Sequence, residues 1–316
     1  MNKRILVTGG TGFQGSNLSK SLLDQGYNVT ILNTPGEKND RNVKRFELEG
    51  AKIIWGSINN KDVILKALEG VDLVINTAAK IHVDDSIKHP TKYFQTNVMG
   101  THNLLEAVRE LDIPLMHIST CEVYGFQDDE LNEESPLMPN SPYAASKAAA
   151  DRMVYAYVVT YGIKACIIRP FNVFGFGQKS GECGAVIPRW SNMILNNQDI
   201  MIYGDGKQSR EFIHINDVIS AYDILIDKLL NTDDINGKVI NIGTGVEVFI
   251  KELADTLLDI LRQKTNSTST IVYEDARPGE VKKFISNSDY MKSFGWEPKY
   301  DLKKGLTDYL KREFNL

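Results

Sequence analysis

Tyr143 and Lys147 are the pair of residues in this sequence best suited to acid–base chemistry. They lie four positions apart, which places both side chains on one face of a helix. A lysine ammonium close to a phenol favours the phenolate and lowers the pKa of the tyrosine. The pair therefore predicts a base that accepts a proton near neutral pH.

Thr120-Cys121-Glu122 adds a thiol and a carboxylate directly after the apolar run 114–118. A buried strand gains nothing from a carboxylate just past its end, so Glu122 is a candidate base, the alternative being a loop cap or a solvated side chain. A thiol with an ordinary pKa of about 8.5 is mostly protonated at pH 7, which makes Cys121 a candidate acid. Cysteine at a strand end is also often a small buried hydrophobe, and both interpretations of Cys121 stay open.

A glycine-rich turn lies near the N-terminus, between an apolar run and a helical pattern. Glycines at positions 9, 12 and 15 let the backbone turn tightly and approach a pyrophosphate, whose charge the helix N-terminus meets. The turn therefore predicts a dinucleotide site. Its cofactor-binding residues are expected to be Gly9, Thr11, Gly12, Phe13, Gln14 and Gly15.

The second apolar run ends at Asn33, where this type of fold commonly has an acid that binds the adenosine ribose. Asn33 is able to hydrogen-bond a ribose hydroxyl, and we expect NAD rather than NADP. The basic patches that follow, at 38–41 and 44–45, are interpreted as a solvated loop.

The elements that must position these residues alternate between strand and helix through the first half of the chain. The predicted strands are 4–8, 29–33, 52–55, 73–77, 115–119 and 165–169, and the predicted helices are 15–25, 61–68, 93–111 and 143–161. This alternation is typical of an α/β fold with a Rossmann-type, doubly wound parallel sheet.

The pattern changes after Pro170, where short strands at 200–203, 212–213 and 239–242 are mixed with helices and turns. We expect an NAD-binding Rossmann domain at 1–169, with some later segments returning to it. The remainder, 170–316, is expected to be mainly a smaller mixed α/β lobe that binds substrate. No internal repeat or long linker is apparent.

The composition excludes several classes of function. The formal net charge of −5 argues against general nucleic-acid binding, which needs a basic surface. Three scattered cysteines do not form a disulfide framework or a zinc motif, so we expect reduced thiols and no metal. No segment is long enough to span a bilayer and the N-terminal apolar run is too short for a signal peptide, which predicts a cytoplasmic protein.

Together, the glycine-rich turn and the Tyr143–Lys147 pair resemble the extended short-chain dehydrogenase/reductase family over nearly the whole chain. The resemblance implies that Thr120 is the hydroxyl partner of the tyrosine and that Asn97 is a structural asparagine. It also implies a tightly held, recycled NAD and a homodimer built on the helices at 93–111 and 143–161. The cofactor-binding residues implied beyond the turn are Ser57, Ile58, Ala78, Ala79, Lys80, Asn97, Tyr143, Lys147 and Pro170.

Motifs at 170–175, 202–212 and 277–280 look like those of nucleotide-sugar enzymes of the same family. By this resemblance Asn172, Arg210 and Arg277 contact the substrate diphosphate, a role to which guanidinium groups are suited. The other substrate-binding residues that it implies are Lys80, His82, Val186, Arg189 and Tyr203. The stretch 184–190 resembles UDP-acetylhexosamine enzymes, which favours a UDP-hexose or UDP-N-acetylhexosamine as substrate.

Residues 78–87 and Thr120-Cys121-Glu122 resemble the nucleotide-sugar 4,6-dehydratases of the family, which usually have Thr-Asp-Glu at the latter place. The resemblance implies a lyase that oxidises carbon 4, removes the carbon 5 proton through Glu122 and expels water from carbon 6. Cys121 departs from the usual aspartate, so 4-epimerisation, UDP-glucuronate decarboxylation and 5,6-dehydration stay open. An NAD(P)-binding sensor is the non-enzymatic alternative, and the intact Tyr143–Lys147 pair counts against it.

Overall fold

The computed structural model describes residues 3–127, 129–178, 185–275 and 284–316. The strands are β1 (Arg4–Thr8), β2 (Asn28–Asn33), β3 (Lys52–Trp55), β4 (Leu73–Asn76), β5 (Leu115–Ile118), β6 (Ala165–Pro170), β7 (Val173–Phe174), β8 (Ile200–Tyr203), β9 (Ser209–Arg210), β10 (Ile213–His214), β11 (Val239–Ile242), β12 (Val248–Phe249) and β13 (Ile271–Glu274). The α-helices are α1 (Phe13–Asp24), α2 (Glu37–Arg45), α3 (Lys61–Ala67), α4 (Val83–Lys88), α5 (Pro90–Tyr93), α6 (Gly100–Leu111), α7 (Pro142–Tyr161), α8 (Val186–Leu195), α9 (Ile215–Asn231), α10 (Ile250–Lys264), α11 (Asp289–Lys292) and α12 (Leu302–Phe314). A π-helical turn, Phe94–Met99, joins α5 to α6, and a 3₁₀ turn, Cys121–Tyr124, follows β5.

Seven of these strands form one parallel sheet in the order β11-β6-β5-β4-β1-β2-β3. The order reverses beside β1, which is the arrangement of a doubly wound Rossmann-type sheet. The α/β fold expected from the sequence is confirmed. The central strands β4, β5 and β6 are completely buried and rich in aliphatic residues, as parallel strands covered by helices require, whereas the edge strand β3 is largely exposed.

The predicted strands of the first half agree with the observed ones to within one residue at either end. The single helix expected over 93–111 is wrong in detail, because the π-helical turn Phe94–Met99 interrupts it. A π turn holds one more residue per hydrogen-bonded ring than an α turn and often occurs at functional sites. The short strand expected at 212–213 is displaced to Ile213–His214.

The register of the sheet brings the carboxyl ends of its central strands together. Thr8 of β1 pairs with Asn76 of β4, and Asn76 pairs with His117 of β5. Ligands of doubly wound folds bind beyond this edge of the sheet. The residues that follow β1, β4 and β5 are therefore the ones placed to form a site.

The chain divides into two compact units. The first comprises Met1–Gly125, Pro136–Pro170 and Ile219–Ile240, and it contains most of the parallel sheet. The second comprises Phe126–Ser135, Phe171–Val218 and Asn241–Leu316. In the second unit, two-stranded pairings such as β8 with β13 and β9 with β12 accompany a core formed chiefly by α8, α10 and α12. Among the described residues, no helix has the length and apolar character needed to cross a membrane.

Candidate active site

The turn between β1 and α1 packs closely against its own backbone and that of Ala78, which is possible only because glycines form it. Gly9 has a φ of +70°, and a Cβ there would lie 2.9 Å from the backbone of Ala78. A Cβ on Gly15 would collide with the carbonyl of Gly9. Helix α1 begins after Gly12, which provides no side-chain cap for the first N–H groups. These uncapped donors in a narrow cradle fit the pyrophosphate of a dinucleotide.

Asn33 lies at the end of β2 and hydrogen-bonds the Thr11 hydroxyl through its side-chain amide. A second asparagine, Asn42, donates to the Thr11 carbonyl at 2.7 Å from a buried position. The segment around Asn42 is helix α2 rather than the expected loop, although the basic residues at 38, 41, 44 and 45 are exposed to solvent as expected. Asn42 was missed because one polar residue among charged neighbours gives no sequence signal of burial.

The other cofactor candidates near the sheet edge have structural partners of their own. Gln14 accepts a hydrogen bond from Tyr222 at 2.7 Å. Ser57 follows β3 and accepts from the amide of Asn59 at 3.1 Å, and Ile58 is buried. Phe13 opens α1, and Pro170, which is buried, ends β6.

Asn97 connects the loop after β4 to helix α7. Its Oδ1 accepts from the amide of Lys80 at 2.8 Å, and its Nδ2 donates to the carbonyl of Lys80 at 3.0 Å. The same Nδ2 donates to Ser146 Oγ at 2.9 Å. Ser146 lies between Tyr143 and Lys147, so Asn97 fixes the helix turn that carries both. The π-helical turn is the element that presents Asn97 to these partners.

Tyr143 lies against the segment that contains Thr120, Cys121 and Glu122. Thr120 caps the 3₁₀ turn by accepting from the amide of Glu122 at 3.3 Å, and its hydroxyl also hydrogen-bonds Tyr143. Burial raises the pKa of Tyr143 most, while the Thr120 hydrogen bond lowers it and the charge of Glu122 raises it. The lowered pKa expected from the YxxxK spacing is therefore not found in the protein alone, because burial has the largest effect and raises the pKa of Tyr143.

Cys121 and Glu122 differ in exposure although they are adjacent. The Cys121 side chain is 2% exposed, whereas Glu122 is half-buried. A negative charge on either residue raises the pKa of Tyr143. The structure thus brings together three of the predicted catalytic residues of the first unit: the thiol of Cys121, the carboxylate of Glu122 and the phenol of Tyr143.

Lys147 is buried and its ammonium donates to the carbonyl of Ile118 at 2.6 Å. Burial lowers the pKa of Lys147 to about 8, and the charge of Asp151 one turn further along α7 opposes that change. Asp151 itself pairs with Arg169 on β6 at 2.9 Å. Helix α7 is therefore fastened to β5 and to β6 on the side that carries Lys147.

A buried polar chain links the central strands and was not predicted from sequence. Thr8 Oγ1 donates to Asn76 Oδ1 at 2.6 Å, and Asn76 Nδ2 lies 3.1 Å from His117 Nδ1. Because the Asn76 oxygen already accepts, its nitrogen faces His117, whose Nδ1 accepts and whose proton is on Nε2. Burial, followed by the charge of Lys147, lowers the pKa of His117 to about 3. The sequence signal that could have predicted this chain is the presence of one polar residue, Thr8, Asn76 or His117, in each of three otherwise apolar runs.

The segment from Ala78 to Ser86, which includes the first residues of α4, packs against the start of α7. Ser86 Oγ accepts from the amide of Tyr143 at 3.1 Å, and the amide of Ser86 donates to the carbonyl of His82 at 3.0 Å. Lys80 is exposed and His82 half-buried. The predicted Ala78, Ala79, Lys80 and His82 thus lie on the segment that contacts the base of the Tyr143 helix.

The remaining substrate candidates belong to the second unit. Asn172 donates from its side-chain amide to the carbonyl of Glu211 at 2.8 Å. Arg210, in β9, is half-buried and donates to the carbonyl of Ser209 at 2.7 Å. Arg277 lies outside the described residues. The half-buried residues of this set on α8 and β8 are Val186, Arg189 and Tyr203.

Comparison with known proteins identifies the family. The NAD dependent epimerase/dehydratase family matches residues 5–243, which include the glycine-rich turn, Glu122 and the Tyr143–Lys147 pair. The chain belongs to this family. It is accordingly an enzyme of the nucleotide-sugar dehydratase and epimerase group, and NAD is its cofactor.

Relatives with different activities are similar to the chain to nearly the same degree. The dTDP-D-glucose 4,6-dehydratase of Bos taurus is 34% identical over 316 residues, covering 96% of this chain and 86% of the dehydratase. The structure of a UDP-N-acetylglucosamine 4-epimerase from Methanobrevibacter ruminantium M1 matches with a TM-score of 0.88 and 30% identity, covering 98% and 99% of the two chains. The structure of the dTDP-glucose 4,6-dehydratase DesIV from Streptomyces venezuelae, with NAD bound, matches with a TM-score of 0.86 and 30% identity, covering 98% and 96%. The choice of reaction therefore depends on the residues of this chain's own site.

Proposed function

We propose that this enzyme is an NAD-dependent nucleotide-sugar 4,6-dehydratase, a lyase, acting on a UDP-hexose or UDP-N-acetylhexosamine. The observation that carries the proposal is that the Thr120 hydroxyl bonds both the amide of Glu122, at 3.3 Å, and the phenol of Tyr143, so that Glu122 lies on the turn that contacts the phenol. Epimerisation at carbon 4 needs one base, for a hydroxyl proton. Dehydration needs a second base for the carbon 5 proton, and Glu122 supplies it.

Tyr143 accepts the proton of the carbon 4 hydroxyl in the first step. NAD held by the glycine-rich turn would supply the hydride acceptor for the oxidation at carbon 4 and the hydride donor for the reduction at carbon 6. Burial keeps Tyr143 protonated in the protein alone, so the phenolate depends on positive charge nearby. Lys147 provides such a charge from one helical turn away, and Thr120 donates a hydrogen bond to the phenolic oxygen.

Glu122 removes the carbon 5 proton once the carbon 4 ketone has acidified it. Cys121 donates its thiol proton to the carbon 6 hydroxyl, which leaves as water. Glu122 then returns its proton to carbon 5 while carbon 6 receives the hydride, which gives a 4-keto-6-deoxy sugar. Transfer of the proton held by Tyr143 to the Cys121 thiolate restores the enzyme, so the net change is the loss of one water.

Product mass after incubation with UDP-N-acetylglucosamine, UDP-glucose, dTDP-glucose and UDP-glucuronate tests the proposal. Loss of one water from a UDP-sugar is expected. An isomer of unchanged mass would identify an epimerase, and loss of carbon dioxide from the glucuronate a decarboxylase; either result would sink the proposal. NMR spectra of the dehydrated product distinguish the 4-keto-6-deoxy sugar from a 5,6-alkene.

Glu122→Gln isolates the second base, and Glu110→Gln, on the exposed side of α6, is its matched control. Replacement of Glu122 removes the group that takes the carbon 5 proton, so turnover should fall by about 10²–10⁴-fold. The control should keep wild-type turnover. Full dehydratase activity in Glu122→Gln would contradict the role given to this carboxylate.

The proposal extends to a homodimer in the cytoplasm. Val159 and Tyr155 on α7 are 67% and 45% exposed, and Met99, which ends the π-helical turn, and Leu111, which ends α6, are also exposed. Apolar surface of this kind on neighbouring helices is commonly covered by a partner. Buried thiols at Cys121 and Cys166 suit a reducing compartment. Sedimentation should give twice the mass of one chain for the wild type and the mass of one chain for Val159→Lys.

A further inference from the structure

Glu211 is a completely buried carboxylate in the second unit, directly after Arg210. Its Oε2 accepts from the amide of Ser286 at 2.6 Å. Its Oε1 accepts from Ser286 Oγ at 2.9 Å, from the amide of Gly245 at 3.1 Å and from the amide of Thr244. One side chain thus holds two separate loops, those after β11 and before α11.

The backbone of Glu211 makes two further links. Its carbonyl accepts from the side-chain amide of Asn172 at 2.8 Å, and its amide donates to the carbonyl of Phe284 at 3.2 Å. The preceding residue, Arg210, pairs with Val248 in the β9–β12 ribbon. Glu211 therefore lies where the segments carrying Asn172 and Arg210 meet.

We propose that Glu211 is a positioning residue for the nucleotide-diphosphate end of the substrate. Its carboxylate fixes the backbone from which Arg210 projects, and its carbonyl orients the amide of Asn172. The inference rests on the proposed function, because it takes the substrate to be a nucleotide sugar whose diphosphate Asn172 and Arg210 contact, as the family resemblance implies. The mechanism described above makes no use of Glu211.

The chemistry of the contacts requires an ionised carboxylate at this position. Four donors converge on two oxygens, whereas a glutamine would offer one oxygen and turn an NH₂ group toward one of the donors. Burial raises the pKa of Glu211, and the amides of Ser286 and Gly245 oppose that rise by hydrogen bonding to the carboxylate.

Gly243 is the residue that leaves room for this arrangement. A Cβ there would collide with Glu211 Oε1 and with Ser286 Oγ. The carboxylate of Glu211 therefore fits only because residue 243 has no side chain. Gly243→Ala should weaken the hydrogen bonds between Glu211 and Ser286.

Binding of UDP and dTDP, measured by calorimetry on the NAD-loaded enzyme, tests the inference. Glu211→Gln should weaken UDP binding by about tenfold or more, because Asn172 and Arg210 are no longer held. The content of bound NAD should stay the same, since the glycine-rich turn belongs to the other unit. KM for the sugar nucleotide should rise more than kcat falls, and Glu211→Asp should restore part of the UDP affinity.

Asp217→Asn is the matched control, because Asp217 is a buried carboxylate of the same unit that accepts from the amides of Lys299 at 2.9 Å and Tyr300 at 3.0 Å. It should lose stability and keep its UDP affinity. Wild-type UDP affinity in Glu211→Gln, no better UDP affinity in Glu211→Asp than in Glu211→Gln, or an equal loss in Asp217→Asn, overturns the positioning role. A wild-type enzyme that binds neither nucleotide would overturn the proposed function itself, which is a separate outcome.

Discussion

The ammonium of Lys147 donates a hydrogen bond to the backbone carbonyl of Ile118, 2.6 Å away, at the last residue of β5. The bond joins helix α7, which carries Tyr143, to the strand that leads into Thr120 and Glu122. Because burial lowers the pKa of Lys147 to about 8, the charge at this junction changes within the range of pH used for assays.

This pKa predicts a dependence of stability on pH. The folded pKa is below the unfolded value of 10.5, so between about pH 8 and 10.5 the unfolded state binds more protons and the free energy of unfolding rises with pH. Relative to Lys147→Met, which has no charge to bury, the wild type should gain about 1.4 kcal/mol per pH unit in this window. Denaturant unfolding at pH 7, 9 and 10 measures the difference. Lys66→Met, on the exposed side of α3, is the control, and its free energy of unfolding should differ from that of the wild type by the same amount at every pH. The same pH-independent difference for Lys147→Met would contradict the prediction.

Tyr143→Phe removes the phenolic oxygen and keeps the ring. Turnover should fall by about 10²–10⁴-fold, since Tyr143 is the group that takes the carbon 4 hydroxyl proton in the proposed mechanism. The edge-to-face packing with Tyr93, with ring centroids 6.4 Å apart, should survive, so folding and NAD content should match the wild type. Assays of kcat and of bound NAD provide the check, and a fall in NAD content equal to the fall in kcat would argue for a structural role.

Cys121→Ala tests whether the thiol is an acid or a small buried hydrophobe. As an acid, its loss should leave the oxidation of carbon 4 intact and slow the departure of water. Reduced cofactor would then accumulate in a single turnover, seen by its absorbance. Cys121→Asp should restore dehydration, whereas unchanged turnover in Cys121→Ala would show that the residue only fills space.

Gly9→Ala should remove bound NAD. The new Cβ would lie 2.9 Å from the Ala78 backbone, and φ at this position is +70°, so the turn has to open. Gly50→Ala is the control, because its Cβ would meet the Leu23 side chain at an ordinary 3.5 Å. The NAD content of the purified proteins should be lost in the first variant and kept in the second; retention in both would mean that the turn does not hold the pyrophosphate.

The sheet was predictable from the sequence because its signals are local. Buried parallel strands such as Leu73–Asn76 are continuous apolar runs, and the glycine-rich turn has a fixed spacing. The bonds that join Thr8 to Asn76 and Asn76 to His117 span 68 and 41 positions. They arise from the register between strands, which a single sequence does not contain.

The sequence predicted which residues form the site better than it predicted their protonation states. Spacing alone placed Lys147 beside Tyr143 and suggested a lowered pKa. The folded site adds burial, the Thr120 hydrogen bond and the Glu122 charge, and burial has the largest effect on Tyr143. Desolvation depends on everything that packs around a group, so it follows from the three-dimensional structure only.

The π-helical turn Phe94–Met99 makes the active site sensitive to a change in chain length. Deleting one residue from it would allow α5 and α6 to merge into a continuous α-helix with better backbone hydrogen bonds. The helical residues on the N-terminal side of the deletion would rotate by about 100° about the helix axis relative to α6. Asn97 would then point away from Lys80 and Ser146. The shortened protein would gain a more regular helix and lose the connection that orients the Tyr143 turn, so the surplus residue preserves activity at the expense of helical regularity.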